Sequence, residues 1–161
     1  MVHLWGSKAK EETEISKSAL GECGATGDIA IVVNGEKLDS NLVYLGCQMA
    51  KGARRKVHLV HVIEVPRSLP LKAVLTQESE HADQMLSSAL NIAERVGSDA
   101  IAEVVQARDA GPAIVDEARD HNCALLLVGS IRTGNQSELS KTISYVLANA
   151  PCRVWLVQDP A

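Results

Sequence analysis

Residues 107–130, ARDAGPAIVDEARDHNCALLLVGS, contain one complete helix-and-strand unit of the chain. Gly111-Pro112 places a proline near the first turn of a helix, where a backbone N–H has no partner within the helix. The apolar positions that follow have helical spacing and are Ile114, Val115 and Ala118. Ala124 to Val128 is a continuous apolar run ending at Gly129, which is typical of a strand buried on both faces. The stretch therefore predicts an α/β protein with a parallel sheet.

The same alternation of apolar runs and amphipathic helices extends over the rest of the chain from residue 29. The other predicted strands cover residues 29–33, 57–63, 100–106 and 153–157. The other predicted helices run from the capping residue Ser40 to Gly52, over 76–96 and over 139–150. Strands that alternate with helices are joined by right-handed crossovers, which make them parallel. We therefore predict a doubly wound five-stranded parallel sheet with helices on both faces. Ligands of such sheets bind beyond the carboxyl ends of the strands.

The first 27 residues differ from the rest of the chain. Gly21, Gly24 and Gly27 end a polar, charged segment with little apolar periodicity, so residues 1–27 are predicted to be a flexible tail or linker. Their glycine spacing is not a dinucleotide-binding fingerprint, because it precedes a strand instead of following one. Residues 28–161 are predicted to form the single folded domain.

Composition narrows the class of protein. A chain of 161 residues fits one domain with its own core. Hydrophobic residues make up 46% of the chain, but aromatic residues only 2%, so the core must be aliphatic. A net charge of −4 argues against general binding to nucleic acid or to anionic membranes. Because no apolar run approaches the ~18 residues of a membrane span and no signal-peptide pattern is present, we expect a cytoplasmic protein.

No constellation of side chains in the sequence indicates catalysis or metal binding. The four cysteines have no C-x-x-C spacing and are expected to be reduced thiols. His58 and His61 are three apart on one predicted strand, so they point to opposite faces and cannot chelate a metal together. The other histidines, His3, His81 and His121, lie in unrelated segments, and no G-x-S-x-G nucleophile motif occurs. We therefore expect neither an enzyme nor a metal site.

Asp109 allows two interpretations. It follows the third predicted strand, where a receiver domain of similar architecture could carry a phosphoacceptor. A receiver would also need an acidic pair after its first strand and a lysine after its last. Here Asn34-Gly35-Glu36 offers one carboxylate, and Gln158-Asp159 follows the last strand. Capping of the next helix is therefore the favoured role of Asp109.

Four segments together resemble the universal stress protein family. They are IVVNG (31–35), HVIEVP (61–66), the opening stretch 107–130 and YVLANAPCRVWLV (145–157). They occur in the family's order and at its distances, over residues 28–158. The resemblance implies a Rossmann-like fold of the nucleotide-binding α-hydrolase type, with strand order 3-2-1-4-5. It also implies a homodimer formed through the last strand, Arg153–Val157.

Many members of that family bind ATP through a loop of pattern G-x2-G-x9-G-[S/T] after the fourth strand. Anchored on Gly129 and on Leu139/Tyr145, the second glycine falls by spacing on Arg132, although Gly134 could substitute, and the third falls on Ser140. Lys141 takes the hydroxyl position, and the loop is two residues short. The family's aspartate after the first strand is Asn34 here. The candidate nucleotide-binding residues are Asn34, Gly35, Val62, Gly129, Ser130, Arg132, Gly134, Ser140 and Lys141.

This departure from the pattern leads to three functional expectations. The first is a non-enzymatic regulatory or interaction domain that binds an unknown protein partner and no nucleic acid. Its adenine-nucleotide site is weak or vestigial, so no cofactor is expected and ATP or AMP binds weakly at most. The second is an ATP- or AMP-binding switch with slow hydrolysis, in which Arg132 and Lys141 meet the phosphates. The third is the cytosolic regulatory domain of a membrane transporter, because His3-Leu4-Trp5-Gly6 followed by Lys8 and Lys10 resembles a juxtamembrane segment.

Overall fold

The computed structural model describes residues 27–34, 37–130 and 140–158, and for residues 37–39 it describes the backbone only. Strands and helices alternate along these residues. The elements are β1 (Asp28–Val32), α1 (Lys37–Ala53), β2 (Val57–Glu64), α2 (Thr76–Val96), β3 (Ala100–Ala107), α3 (Ala110–Asp120), β4 (Cys123–Ser130), α4 (Lys141–Asn149) and β5 (Arg153–Gln158). None of the helices in these residues has the length and hydropathy needed to cross a membrane.

The five strands form one parallel sheet in the order β3-β2-β1-β4-β5. This confirms the predicted doubly wound α/β fold and the order 3-2-1-4-5. The strand β1 lies at the centre, and its Ile31 pairs with Leu59 of β2 and with Leu127 of β4. The chain winds outward from β1 in one direction to β3, then crosses back to β4 and β5. The carboxyl ends of β1 and β4 therefore flank the point where the winding reverses.

Each face of the sheet is covered by two helices and has its own aliphatic core. Ile29 and Ile31 of β1 belong to the core beneath α1 and α2. Ala30 and Val32, which alternate with them, belong to the core beneath α3 and α4. The central strands are buried on both faces, which explains their nearly continuous apolar sequence. The predicted aliphatic core is confirmed.

The predicted limits of α1 are wrong at both ends. Ser40 lies inside the helix, which begins at Lys37, and Gly52 does not end it. Arg54 takes the left-handed conformation with a φ of 56°. The backbone amide of Arg54 donates a hydrogen bond to the carbonyl of Lys51, and the amide of Arg55 donates one to the carbonyl of Ala50. This is the hydrogen-bond pattern of a Schellman motif. Capping propensities are local and small, and here the packing of α1 on the sheet outweighed them.

Gly27 is buried at the start of the described chain. A Cβ atom at this position would lie 2.3 Å from the carbonyl oxygen of Asn122 and 2.6 Å from the amide nitrogen of Ala124. Both are backbone atoms, so only glycine permits this approach to the start of β4. The rest of the predicted tail, residues 1–26, lies outside the described residues.

Candidate functional site

A pocket of about 220 Å³ lies at the carboxyl edge of the sheet, between the end of β2 and the amino ends of α3 and α4. This pocket lies at the edge where ligands of such sheets bind, but among the predicted site residues that the structure describes Lys141 alone lines it. We call it the carboxyl-edge pocket. It is lined by Glu64, Asp109, Ala110, Gly111, Pro112, Lys141, Thr142 and Tyr145.

The amino end of α3 is capped from another strand. The amide of Ala110, the first residue of α3, donates a hydrogen bond of 2.8 Å to Oε1 of Glu64, the last residue of β2. A free amide at this position would be available to an anionic ligand. The Glu64 carboxylate already occupies it, and its negative charge suits the positive end of the helix dipole.

The predicted capping role of Asp109 is wrong. Asp109 occupies the N-cap position of α3 in an extended conformation but makes no capping hydrogen bond. Pro112, at the third helical position, has no N–H to donate. Oδ1 of Asp109 instead lies 3.6 Å from Nζ of Lys141, and its Oδ2 lies 4.0 Å from Nη2 of Arg67. The carboxylate therefore offsets the charge of the one predicted phosphate ligand that lines this pocket.

The amino end of α4 is capped within its own turn. Ser140 is the N-cap residue, and its Oγ accepts a hydrogen bond of 3.2 Å from the amide of Ile143. The resemblance placed a phosphate-binding glycine at this position. Ser140 uses its side chain as a cap, so one of the amides that could meet a phosphate already has a partner. Lys141 follows with a side chain that is 93% exposed.

The remaining predicted site residues are spread along the same edge. Asn34 is exposed after β1, Val62 is half-buried in β2, and Gly129 and Ser130 are half-buried at the end of β4. Gly129 and Ser130 pair with Val157 and Gln158 of β5. Three further candidates lie outside the described residues: Gly35, Arg132 and Gly134. Glu64 and Tyr145 were not predicted as site residues. A carboxylate ending a strand on the edge that holds the helix amino ends was the signal that could have indicated Glu64.

A second polar cluster lies where the strands begin, and it corrects the interpretation of the histidines. His121, assigned to an unrelated segment, stacks on His58 with ring centroids 4.1 Å apart. His61, on the opposite face of β2 from His58, is hydrogen-bonded through Nδ1 to the carbonyl of Val33. The pairing of His58 with His121 was missed because the two residues meet only when α3 packs on the sheet.

Comparison with known proteins identifies a family. The sequence model of the universal stress protein family matches residues 27–158 of this chain. A search of curated proteins gave no match.

Several solved structures share the fold. The universal stress protein from Archaeoglobus fulgidus in complex with dAMP is 15% identical, with a TM-score of 0.67 over 81% of this chain and 96% of that one. A universal stress protein in complex with cAMP is 17% identical, with a TM-score of 0.66 over 83% of this chain and 97% of that one. A family member from Arabidopsis thaliana with AMP bound is 16% identical, with a TM-score of 0.59 over 84% of this chain and 93% of that one.

Proposed function

The chain belongs to the universal stress protein family, and on that premise we propose that it is a non-enzymatic regulatory or interaction domain whose adenine-nucleotide site is weak. The observation that carries the proposal is the Glu64 carboxylate on the first amide of α3. A nucleotide phosphate reaching this helix end would have to displace a carboxylate of the protein itself. In this role the protein is a binding module and not a catalyst.

The electrostatics of the carboxyl-edge pocket support weak phosphate binding. Glu64 and Asp109 place two carboxylates in its wall, and both repel a phosphate. Lys141 also lines the pocket and could attract a phosphate, but its ammonium group already lies beside Asp109 and its side chain is almost fully exposed. An exposed, mobile ammonium group contributes little to binding. One of the fixed amides that make helix ends good phosphate sites is engaged at each end, by Glu64 at α3 and by Ser140 at α4.

The class of ligand is proposed from the molecules bound in solved structures that share this fold. Structures with dAMP, cAMP and AMP show that those proteins accommodate adenine nucleotides with a single phosphate. An AMP-responsive switch is therefore the second candidate function, and it differs from the first in requiring tight binding. Affinity for nucleotide decides between the two.

We expect ATP and AMP to bind the purified chain more weakly than about 100 µM, without detectable hydrolysis of ATP. Glu64→Gln keeps a side-chain oxygen for the Ala110 amide but removes the charge. It should therefore strengthen ATP binding by about two- to fivefold. Isothermal titration near physiological salt measures both effects. Glu78→Gln, in the first turn of α2, is the matched control and should change nothing.

A micromolar affinity for either nucleotide, lost in Gly129→Val or Asn34→Ala, would contradict the weak-site proposal and favour the switch. An unchanged affinity in Glu64→Gln would show that the carboxylate does not control the pocket.

We also propose that the protein forms a symmetric dimer through β5. This strand is the last in the sheet order, so its outer edge has no partner strand within the part of the chain that the structure describes. Trp155 and Leu156, on opposite faces of β5, are each 37% exposed. An exposed edge strand with large apolar side chains is a template for pairing with a second copy.

Trp155→Asp is expected to convert the dimer to a monomer, because it places a charge at the proposed apolar contact. Light scattering coupled to size-exclusion chromatography measures the mass. Tyr44→Asp is the control, since Tyr44 is an exposed aromatic residue on the side of α1 that faces α2 and is not part of β5. A wild-type protein that is already monomeric would rule out the dimer.

A further inference from the structure

A cluster of titratable side chains lies at the amino edge of the sheet, on the face covered by α3. We call it the amino-edge cluster; its members are Asp28, His58, Glu103, Glu117 and His121. Their positions follow from the sheet register. His58 of β2 pairs with Ile101 of β3, and Glu103, two residues further on, points to the same face. Glu117 lies in the last turns of α3, and His121 is its C-cap residue.

Three of these side chains converge at ligand-atom distances. One nitrogen each of His58 and His121 and one carboxylate oxygen of Glu103 all lie within 4.8 Å of one another. Nε2 of His121 is 2.7 Å from Oε2 of Glu103 and 3.2 Å from Oε2 of Glu117. Two imidazoles and two carboxylates thus face a common volume.

The burial and hydrogen bonding of His58 are a second, independent observation. Its side chain is only 6% exposed, and its Nε2 lies 3.0 Å from Oδ2 of Asp28. Its other nitrogen, Nδ1, is buried and has no hydrogen-bond partner among the described residues. Burying an unpaired polar atom is unfavourable, so such an atom needs an explanation. A histidine that binds a metal through one nitrogen typically uses the other to bond a carboxylate, which is the arrangement of Asp28 and His58.

We propose that the amino-edge cluster binds one zinc ion through His58 Nδ1, His121 and Glu103. Two imidazoles and a carboxylate are a ligand set that favours zinc over magnesium or calcium, which prefer oxygen ligands. The ligand atoms around tetrahedral zinc are about 3.3 Å apart, so the contact between His121 and Glu103 must open as the ion replaces their shared proton, which is released to solvent. The two imidazole rings are stacked, so His121 must also rotate for its nitrogen to face the same ion as His58. The partial exposure of His121 and Glu103 leaves a path for the ion and room for a water as fourth ligand.

The local electrostatics favour a cation at this position. Oε2 of Glu103 and Oε2 of Glu117 both lie within 3.2 Å of Nε2 of His121, so two carboxylates are close together and a bound cation would relieve their repulsion. The carboxyl end of α3, where His121 lies, carries the negative end of the helix dipole.

Titration of the untagged full chain with zinc, after removal of metals by a chelator, tests the site. We expect one zinc ion per chain. Asp28→Asn should weaken binding about 10- to 100-fold, because it loses the carboxylate that orients His58. Glu103→Gln loses a ligand and should weaken it further, and this half-buried position is a milder test of folding than His58→Gln. His81→Gln, which removes an exposed histidine on α2, should bind zinc like the wild type.

A second measurement separates a metal site from a purely structural ion pair. Zinc in excess should raise the Tm of the wild type and of His81→Gln, because a ligand of the native state stabilises it. It should not raise the Tm of Glu103→Gln. Cobalt substituted for zinc should give the visible absorption of a tetrahedral site. The absence of saturable binding, or binding that Asp28→Asn and Glu103→Gln retain at full strength, would overturn the proposal.

Discussion

Replacing Leu127 by alanine should lower the free energy of unfolding by about 3–5 kcal/mol. Leu127 is fully buried in β4, one strand from the sheet centre, and belongs to the core beneath α1 and α2. It pairs with Ile31 on one side and with Trp155 on the other, and α1 approaches it from above. Three removed carbons would leave a cavity that rigid strands on both sides cannot close, so the cost lies toward the upper end of the range for Leu→Ala changes.

Urea denaturation followed by circular dichroism measures this loss. Leu147→Ala is the matched control: Leu147 lies in α4 and is 45% exposed, so its removal should change stability by less than about 0.5 kcal/mol. Equal losses in the two variants would contradict the assignment of Leu127 to the core.

Two glycines of the same helix should respond to substitution with opposite signs. A Cβ atom at Gly46 would lie 2.4 Å from Cδ1 of Ile31 and 2.8 Å from Cδ1 of Leu127, whereas one at Gly52 would meet no atom within 4 Å. Gly46→Leu should therefore destabilise the protein by about 3 kcal/mol or more, because buried atoms of the sheet would have to move. Gly52→Ala should stabilise it by about 0.5–1 kcal/mol, because alanine has the higher helix propensity.

Thermal and urea unfolding of both variants beside the wild type measure the difference. Gly52→Ala also serves as the control for backbone entropy, since it adds a Cβ to α1 without touching the core. Tolerance of leucine at residue 46 would contradict the way α1 packs on β1 and β4, and destabilisation by Gly52→Ala would contradict the open, helical position of Gly52.

The carboxyl-edge pocket and the amino-edge cluster lie at opposite ends of α3. Its first amide is held by Glu64, and its last turns carry Glu117 and lead to His121. The helix has 11 residues, which at 1.5 Å per residue separates the two places by about 16 Å. The proposed nucleotide and zinc sites can therefore be tested independently, because no residue belongs to both.

The fold and the family can both be derived from local sequence patterns. Every strand is an apolar run and every helix an amphipathic one, so the element order could be read from local periodicity, and the alternation of strands with helices implied parallel pairing. The edge of the sheet that carries the pocket followed from the same order. The errors occurred where weak local preferences were used to predict the ends of a helix, as with Ser40 and Gly52 in α1. A capping preference is worth about 1 kcal/mol, which the burial of a helix face exceeds.

Contacts between distant side chains could not be predicted in this way, because they depend on how the elements pack. Glu64 caps α3 from 46 residues away, and the same contact leaves Asp109 to pair with Lys141. His58 and His121 become neighbours because one strand and the end of one helix converge at the amino edge. Periodicity assigns a residue to one face of its helix or strand, but it does not specify how that helix or strand is aligned with a distant one. That alignment is set by the packing of two whole elements, and it therefore depends on all of their side chains together.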